Sequence, residues 1–217
     1  MDRLEDVPTP VPEATFVVVD VIICSTAIIH LLEAGATYVK PFAETDRAQA
    51  FRAETEDAVI VGEENDGTTS EKFDLPPVPS IIRERDLAGR PVGIRTSNGT
   101  RAIDRIGVDS NILIGSTINA GAVADRLLET DRDIWLVAAG RDGSPVGEDL
   151  AAIELVQRQH DERRKSLDND GLCEYFDSSP STPWLRENGT RADYEQLVSP
   201  ETTETVPRIR NGVFVTD

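Results

Sequence analysis

Short runs rich in β-branched residues alternate with longer segments of helical spacing along most of this 217-residue chain. Residues 15–20 predict a first strand, and residues 24–33 have the apolar pattern of a buried helix that ends at Gly35. Alternation of this kind is typical of βαβ units, in which helices cover a sheet. We therefore predict an α/β fold with α/β/α layers and a largely parallel or mixed sheet. Two α/β lobes that share a cleft are the alternative.

The same alternation continues to about residue 160. It predicts further strands at residues 37–41, 58–61, 91–96, 111–115 and 133–139, and helices at residues 44–55, 99–106, 119–128 and 148–160. The polar stretch between the third strand and Pro79 is rich in Gly, Thr and Pro, which is typical of a functional loop.

The domain organisation follows from where these patterns begin and end. Residues 1–13 are acidic and rich in Pro and predict a flexible segment, so that residues 14–217 form one domain. If the domain has two lobes, their boundary is predicted near residues 129–133. Residues 161–170 predict an exposed bend, and beyond them only a terminal strand at residues 213–215 is expected.

The charge balance is strongly acidic, with 40 Asp and Glu residues against 22 Lys and Arg residues and a formal charge of −18. Such a surface repels itself in dilute buffer, whereas molar salt shortens the Debye length to about 3 Å and screens the repulsion. We favour adaptation to high salt over a mesophilic acidic domain. Because the chain has no basic cluster, nucleic acid and anionic membranes are not expected partners.

Neither a secretory signal nor a membrane span is expected from the sequence, which predicts a cytoplasmic protein. The two cysteines, Cys24 and Cys173, are far apart and have no metal-ligand spacing. Both are therefore predicted to be reduced thiols, with Cys24 acting as a small buried residue.

Carboxylates follow several predicted strands, where ligands of open α/β sheets collect. Hard oxygen ligands suit Mg²⁺, which usually takes one or two carboxylates and keeps water or phosphate oxygens in its shell. The candidates are Asp20, Glu63, Asp74, Glu148 and Asp149. In so acidic a chain a single carboxylate is more often solvated surface, but Asp20 and Glu63 each directly end an apolar strand.

A polar turn between the strand at 91–96 and the next helix offers a second kind of site. Unpaired backbone N–H groups at a helix start can hold an anionic oxygen, and an arginine can add a charged contact. The residues concerned are Thr96, Ser97, Asn98, Gly99, Thr100 and Arg101. An ordinary helix cap is an equally good interpretation of the same residues.

Several short blocks, in order and at matching spacing, give the chain a family resemblance. They are Val19-Asp20-Val21 with Ser25 and Thr26, Gly62-Glu63, Phe73-Asp74-Leu75, Thr96 to Ala102, Ile114-Gly115-Ser116 with Asn119-Ala120, Ala139-Gly140 and Glu148-Asp149. In these blocks the chain resembles the 2-phosphosulfolactate phosphatases, Mg²⁺-dependent enzymes of coenzyme M biosynthesis.

The resemblance implies a phosphoric monoester hydrolase that converts 2-phosphosulfolactate, or a related small phosphorylated hydroxy acid, to the hydroxy acid and phosphate. It implies catalytic roles for Asp20, Glu63, Glu148 and Asp149, and Mg²⁺ ligation by Asp20, Glu63 and Asp74. Substrate binding would fall to the turn from Thr96 to Arg101, together with Ser116 and Arg141.

The chain also departs from the family pattern in ways that remove positive charge. Ile23 and Glu64 stand where the family usually has arginines, and Pro76 to Pro79 replace a Gly-Asn-Ser-Pro sequence. Arg141 or Lys72 are candidates to compensate. Two other functions stay open: binding of a small anionic metabolite without turnover, and a structural or oligomeric role, for instance as a homodimer.

Overall fold

The computed structural model describes residues 6–160 and 169–216 of the chain. The strands are β1 (Thr15–Val19), β2 (Tyr38–Pro41), β3 (Val59–Gly62), β4 (Pro91–Arg95), β5 (Asn111–Gly115), β6 (Ile134–Ala138), β7 (Arg208–Arg210) and β8 (Val213–Val215). The helices are α1 (Cys24–Glu33), α2 (Thr45–Glu54), α3 (Pro79–Arg83), α4 (Gly99–Ile106), α5 (Ala120–Leu127), α6 (Gly147–His160), α7 (Asn169–Asp177), α8 (Thr182–Asn188) and α9 (Arg191–Leu197).

The strands form one mixed sheet in the order β3-β4-β2-β8-β7-β5-β1-β6. Strands β3, β4 and β2 are parallel to one another, and so are β5, β1 and β6. The hairpin of β7 and β8 lies between these two halves and pairs antiparallel with β5 on one side and β2 on the other. The predicted α/β fold with a mixed sheet is thus confirmed, and its two halves are joined by the C-terminal hairpin.

The two parallel halves run in opposite directions, because three antiparallel pairings separate β5 from β2. In a flat sheet the carboxyl ends of β1 and β4 would therefore lie at opposite edges. Sheets twist by roughly 20–25° per strand, and five steps separate β1 from β4, so the accumulated rotation is roughly 100–125°. This rotation turns the carboxyl ends of both halves toward one cleft.

The core consists of apolar side chains on the strands and of the helix faces packed on them. All five residues of β1 are buried, in keeping with a strand that pairs on both sides and carries helices on its faces. Helix α1 is buried on nearly every face, which explains why its sequence is apolar almost all round. Within the described part of the chain, no helix has the length and apolar character to cross a bilayer.

The C-terminal region holds three short helices that the sequence pattern did not predict. Helix α9 begins with a reciprocal capping box between Thr190 and Asp193. Asp193 also accepts a hydrogen bond of 2.6 Å from the Ser80 hydroxyl and pairs with Arg83 at 3.1 Å, which fastens α9 to α3. The bend predicted at residues 161–170 falls mostly on residues outside the described ranges.

The sequence predicts a flexible segment at residues 1–13 and a possible lobe boundary at residues 129–133. Residues 1–5 lie outside the described residues, whereas Val7 is buried and its carbonyl accepts a 3.0 Å hydrogen bond from Arg105. Residues 129–133, where a lobe boundary is predicted, form the connection from α5 to β6 within one half of the sheet.

Candidate active site

A cleft of about 390 Å³ opens where the ends of the two halves meet. Its walls come from the turn after β1, the loop after β3, the turn before α4, the loop before α6 and the start of α8. The lining residues are Ile22, Ile23, Glu63, Asn65, Asp66, Gly67, Ser97, Asn98, Arg141, Asp142, Ser181 and Trp184.

Asp20 directly follows β1, just before the turn whose Ile22 and Ile23 line the cleft, and is 4% exposed. Burial and the nearby charge of Glu63 raise the pKa of Asp20 to about 7, while the backbone N–H groups of Cys24 and Gly99 oppose the rise. These donors are the first residues of α1 and α4. The Asp20 carboxylate therefore sits between two helix N-termini, where negative charge is stabilised.

Glu63 follows β3 and faces the cleft. One of its carboxylate oxygens, Oε1, accepts hydrogen bonds from the backbone N–H of Ser97 at 3.2 Å and from the Ser97 hydroxyl at 2.9 Å. Burial raises the pKa of Glu63, while the Ser97 hydrogen bonds and the charges of Arg95 and Arg141 oppose that rise. No hydrogen bond to the second oxygen, Oε2, is found within residues 6–160 and 169–216.

Glu148 is fully buried in the first turn of α6, and neither of its carboxylate oxygens has a hydrogen-bond partner among the described residues. Burial raises its pKa. The hydroxyls of Ser179 and Ser181 and the charge of Arg141 lie near enough to oppose the rise, although neither hydroxyl reaches hydrogen-bonding geometry. A buried carboxylate without hydrogen-bond partners is costly, so Glu148 is a candidate ligand for a cation.

Asp149 has a different environment from its neighbour. Its Oδ1 accepts from the backbone N–H of Val21 at 2.8 Å, and its Oδ2 accepts from the N–H of Gly140 at 3.0 Å. Burial and the charges of Asp20 and Glu148 raise its pKa well above the usual value. Asp149 thus ties the turn after β1 to the loop after β6, and its oxygens are already engaged.

The structure therefore brings four of the five candidate carboxylates together. Asp20, Glu63, Glu148 and Asp149 perturb one another's ionisation, and Arg141 acts on both Glu63 and Glu148. Asp74 is not part of this group. It pairs with Arg52 at 2.7 Å, accepts from the Ile60 N–H at 2.8 Å and lines a separate cavity.

These raised pKa values predict how the stability of the metal-free protein depends on pH. A carboxyl group whose pKa is raised by folding keeps its proton after the unfolded chain has lost it, so stability falls as pH rises through that interval. We expect the melting temperature at constant molar KCl to fall between about pH 5 and pH 8, as Asp20 titrates near 7. A melting temperature that rises over this range would contradict the burial of these groups. Calorimetric scans at several pH values provide the measurement.

The turn from Thr96 to Arg101 divides into cleft residues and supporting residues. Ser97 and Asn98 line the cleft. Thr96 and Thr100 are buried and bond to each other across the turn: the Thr100 hydroxyl donates to the Thr96 carbonyl at 2.8 Å and accepts from the Thr96 N–H at 3.2 Å. Arg101 is exposed on α4 and is not among the cleft residues. The two threonines therefore shape the turn, whereas Ser97 and Asn98 face a ligand.

Of the other residues predicted to bind substrate, Arg141 lies in the cleft and Ser116 lies behind it. Arg141 lines the cleft and is held there by a 2.8 Å hydrogen bond to the Pro180 carbonyl. Ser116 is fully buried, bonds to the Thr26 hydroxyl at 2.9 Å and caps the short turn Thr117–Asn119, so it supports the site from behind. Lys72 pairs with Glu64 at 3.0 Å rather than entering the cleft.

Gly99 is the tightest point of the site. A Cβ atom at this position would lie 2.6 Å from Oδ2 of Asp20 and would nearly overlap the side chain of Cys24. Gly99→Ala should therefore lower the free energy of unfolding by about 1–3 kcal/mol, since both neighbours are buried and packed. Denaturant titration measures this.

Gly121→Ala is the matched control for that substitution. A Cβ there meets only Glu201 at ordinary contact distance, and the residue lies inside α5. We expect it to be neutral or stabilising by up to about 1 kcal/mol. Equal losses for the two variants would contradict the close contact of Gly99 with Asp20.

Arg95, Ser181 and Trp184 are among the residues in and around the cleft that the sequence did not predict. Arg95, at the end of β4, donates to the Glu63 carbonyl at 2.6 Å and to the side chain of Asn65. Ser181 and Trp184 come from the region that gave no clear pattern. An arginine that ends an otherwise apolar strand was a usable signal for Arg95, but the sequence held no comparable signal for the other two.

The residues present fit a hard cation in part. Within the part of the chain that the structure describes, neither oxygen of Glu148 nor Oε2 of Glu63 accepts a hydrogen bond, and carboxylate oxygens are ligands that Mg²⁺ prefers. In residues 6–160 and 169–216 no three His, Cys, Asp or Glu side chains are grouped as ligands of one metal ion. A site with two protein carboxylates, completed by water and substrate oxygens, is consistent with both observations.

Together the fold and the cleft define an α/β protein with an acidic active-site cleft at the carboxyl ends of its strands. A profile of the family described as 2-phosphosulpholactate phosphatase matches residues 2–212. The chain belongs to this family, whose class is that of phosphoric monoester hydrolases.

Individual relatives agree with the profile. A Thermotoga petrophila protein named "Probable 2-phosphosulfolactate phosphatase" is 31% identical over 95% of this chain and 94% of its own length. Proteins of the same name from Thermotoga maritima and Clostridium acetobutylicum are 30% and 26% identical, over 95% and 93% of this chain and 94% and 92% of their own lengths. The resemblance seen in the sequence is thereby confirmed.

Proposed function

We propose that this protein is an Mg²⁺-dependent phosphatase of small phosphorylated hydroxy acids, with 2-phosphosulfolactate as the first substrate to test. Membership of the family and the names of its relatives support the reaction. The observation that carries the metal dependence is the buried, unpartnered carboxylate of Glu148 beside Asp20 and Glu63. Binding of a cation would offset the cost of burying this carboxylate, which the Arg141 charge and the Ser179 and Ser181 hydroxyls offset only in part.

Glu148 and the free oxygen of Glu63 would hold the Mg²⁺. Bound there, Mg²⁺ would neutralise phosphate charge and polarise the phosphoryl group. Arg141 is the cleft cation suited to pair with a further phosphate or carboxylate oxygen of the substrate, because its guanidinium is already oriented by the Pro180 carbonyl. Asn98 lines the cleft and its side chain does not cap α4, so the amide is available to the substrate.

Asp20 is the group of the cluster best suited to carry a proton. Its pKa of about 7 in the metal-free protein means that a carboxylate oxygen can accept a proton from the attacking water and return it to the leaving hydroxyl oxygen. The N–H groups of Cys24 and Gly99 favour the charged form of this carboxylate. Asp149 positions the turn that carries Asp20 without entering the reaction.

Release of inorganic phosphate tests the proposal. Purified protein in molar KCl, as the acidic surface suggests, should hydrolyse 2-phosphosulfolactate or another phosphorylated hydroxy acid when Mg²⁺ is present and lose that activity with EDTA. Phosphate release that is indifferent to EDTA would reject the metal dependence. No release from any member of the panel, with a ligand-induced rise in melting temperature, would instead favour binding without turnover.

A further inference from the structure

Part of the cleft wall is apolar, although the cleft belongs to a charged site. Ile22 and Ile23, from the turn after β1, and Trp184, from α8, line it together with the polar residues. Ile23 is buried, and both Ile22 and Trp184 are partly exposed and pack on the hydrophobic core. An apolar surface inside a water-filled cleft is usually covered when the ligand binds.

The positive charge facing the cleft is small. Arg141 is the one basic residue that lines it among the described residues, whereas Glu63, Asp66 and Asp142 also line it. Arg95 lies behind the wall and donates to the Glu63 carbonyl and to Asn65. Even with one divalent cation bound to Glu63 and Glu148, the cleft wall keeps the carboxylates of Asp66 and Asp142. A substrate with three anionic groups would find too few partners here.

Trp184 also fixes the loop that follows β3. Its indole Nε1 donates to the Gly67 carbonyl at 2.7 Å, and Gly67 packs so closely on the indole that a Cβ there would lie 3.0 Å from Nε1. Gly67 takes φ +80°, a conformation that other residues rarely adopt. The indole is therefore held in place, as a surface that recognises an apolar group requires.

We propose that this cleft selects a phosphorylated hydroxy acid whose remaining substituent is uncharged and apolar, in preference to one that carries a sulfonate. This inference rests on the proposed function and specifies its substrate class. The phosphate and carboxylate meet the cation site and Arg141, and the apolar substituent packs against Ile22, Ile23 and Trp184. Trp184 is thus a specificity-determining residue.

Binding of two matched phosphonates tests this inference independently of turnover. Each is a non-hydrolysable analogue in which a methylene group replaces the ester oxygen. One carries a sulfonatomethyl arm and the other an isobutyl arm. Calorimetry with Mg²⁺ in molar KCl should show the isobutyl compound binding at least about tenfold more tightly. Tighter binding of the sulfonate, equal binding, or binding of neither overturns the inference.

Variants then assign the preference to Trp184. Trp184→Ala should lower the affinity for the isobutyl compound about tenfold more than the affinity for the sulfonate, whereas Trp184→Phe, which keeps an aromatic surface, should retain most of the preference. Trp135→Phe is the control, because Trp135 packs on Phe16 and does not line the cleft. A preference that survives Trp184→Ala in a folded protein would overturn the role of Trp184.

The outcome also separates this inference from the proposed function. Selective isobutyl binding without phosphate release from any ester would support the binding preference and reject the phosphatase activity. Mg²⁺-dependent hydrolysis with higher kcat/KM for 2-phosphosulfolactate than for the apolar ester would support the phosphatase activity and reject the preference for an apolar substituent.

Discussion

Glu148→Gln should remove most of the phosphatase activity and, at the same time, raise the melting temperature of the metal-free protein. Glu148 is buried and its carboxylate has no hydrogen-bond partner among the described residues, so neutralising it relieves an unfavourable charge and breaks no hydrogen bond that the structure shows. The same change removes a proposed Mg²⁺ ligand. We expect kcat/KM to fall at least about a hundredfold.

Two measurements check this pair of opposite effects. For a protein of this size the melting temperature should rise by roughly 2–4 °C for each kcal/mol gained. Glu174→Gln is the matched control, since Glu174 is exposed on α7, and it should change neither quantity. A less stable Glu148→Gln protein would show that the carboxylate has a favourable partner, and full activity would exclude it from the metal site.

Asp149→Ala should have the opposite effect on stability. The Asp149 carboxylate accepts from two buried N–H groups, those of Val21 and Gly140, and each would be left without an acceptor. An unsatisfied buried donor costs about 1–3 kcal/mol, so we expect a net loss of about 2–4 kcal/mol after relief of the buried charge. Activity should fall as well, because the two turns carry Asp20 and Arg141.

Chemical denaturation measures the loss, and an exposed acid provides the comparison. Asp109→Ala removes a carboxylate on the surface and should change stability by less than about 0.5 kcal/mol. If Asp149→Ala were as mild as Asp109→Ala, the carboxylate would not be what joins the two turns. A stable but inactive Asp149→Ala protein would assign Asp149 a direct role in the reaction.

Much of the fold could be predicted because its strands are short, buried and rich in Val and Ile. The strands β1, β3 and β5 and the helices α1 and α4 occur within a residue or so of their predicted bounds. The opposite directions of the two halves could not be predicted. They depend on the β7–β8 hairpin, which is only three residues long on each strand and pairs with strands distant in sequence.

The sequence predicted where the carboxylates of the site lie but not which hydrogen bonds they make. Asp20 and Glu63 each follow an apolar strand, a local pattern that marks where a side chain lies. Whether a carboxylate is free, like that of Glu148, or engaged by backbone donors, like that of Asp149, depends on partners far away in the chain. The same is true of Trp184, whose contact with Gly67 joins residues more than a hundred positions apart.

Titration of Mg²⁺ into the metal-free protein most directly tests whether the buried carboxylates share a cation. Calorimetry at about pH 7.5 in molar KCl should detect one site in the wild-type protein and a loss of affinity of at least about tenfold in both Glu148→Gln and Glu63→Gln. Unchanged affinity in these variants, or no Mg²⁺ binding to a folded wild-type protein with or without phosphonate, would contradict a cation shared by Glu63 and Glu148.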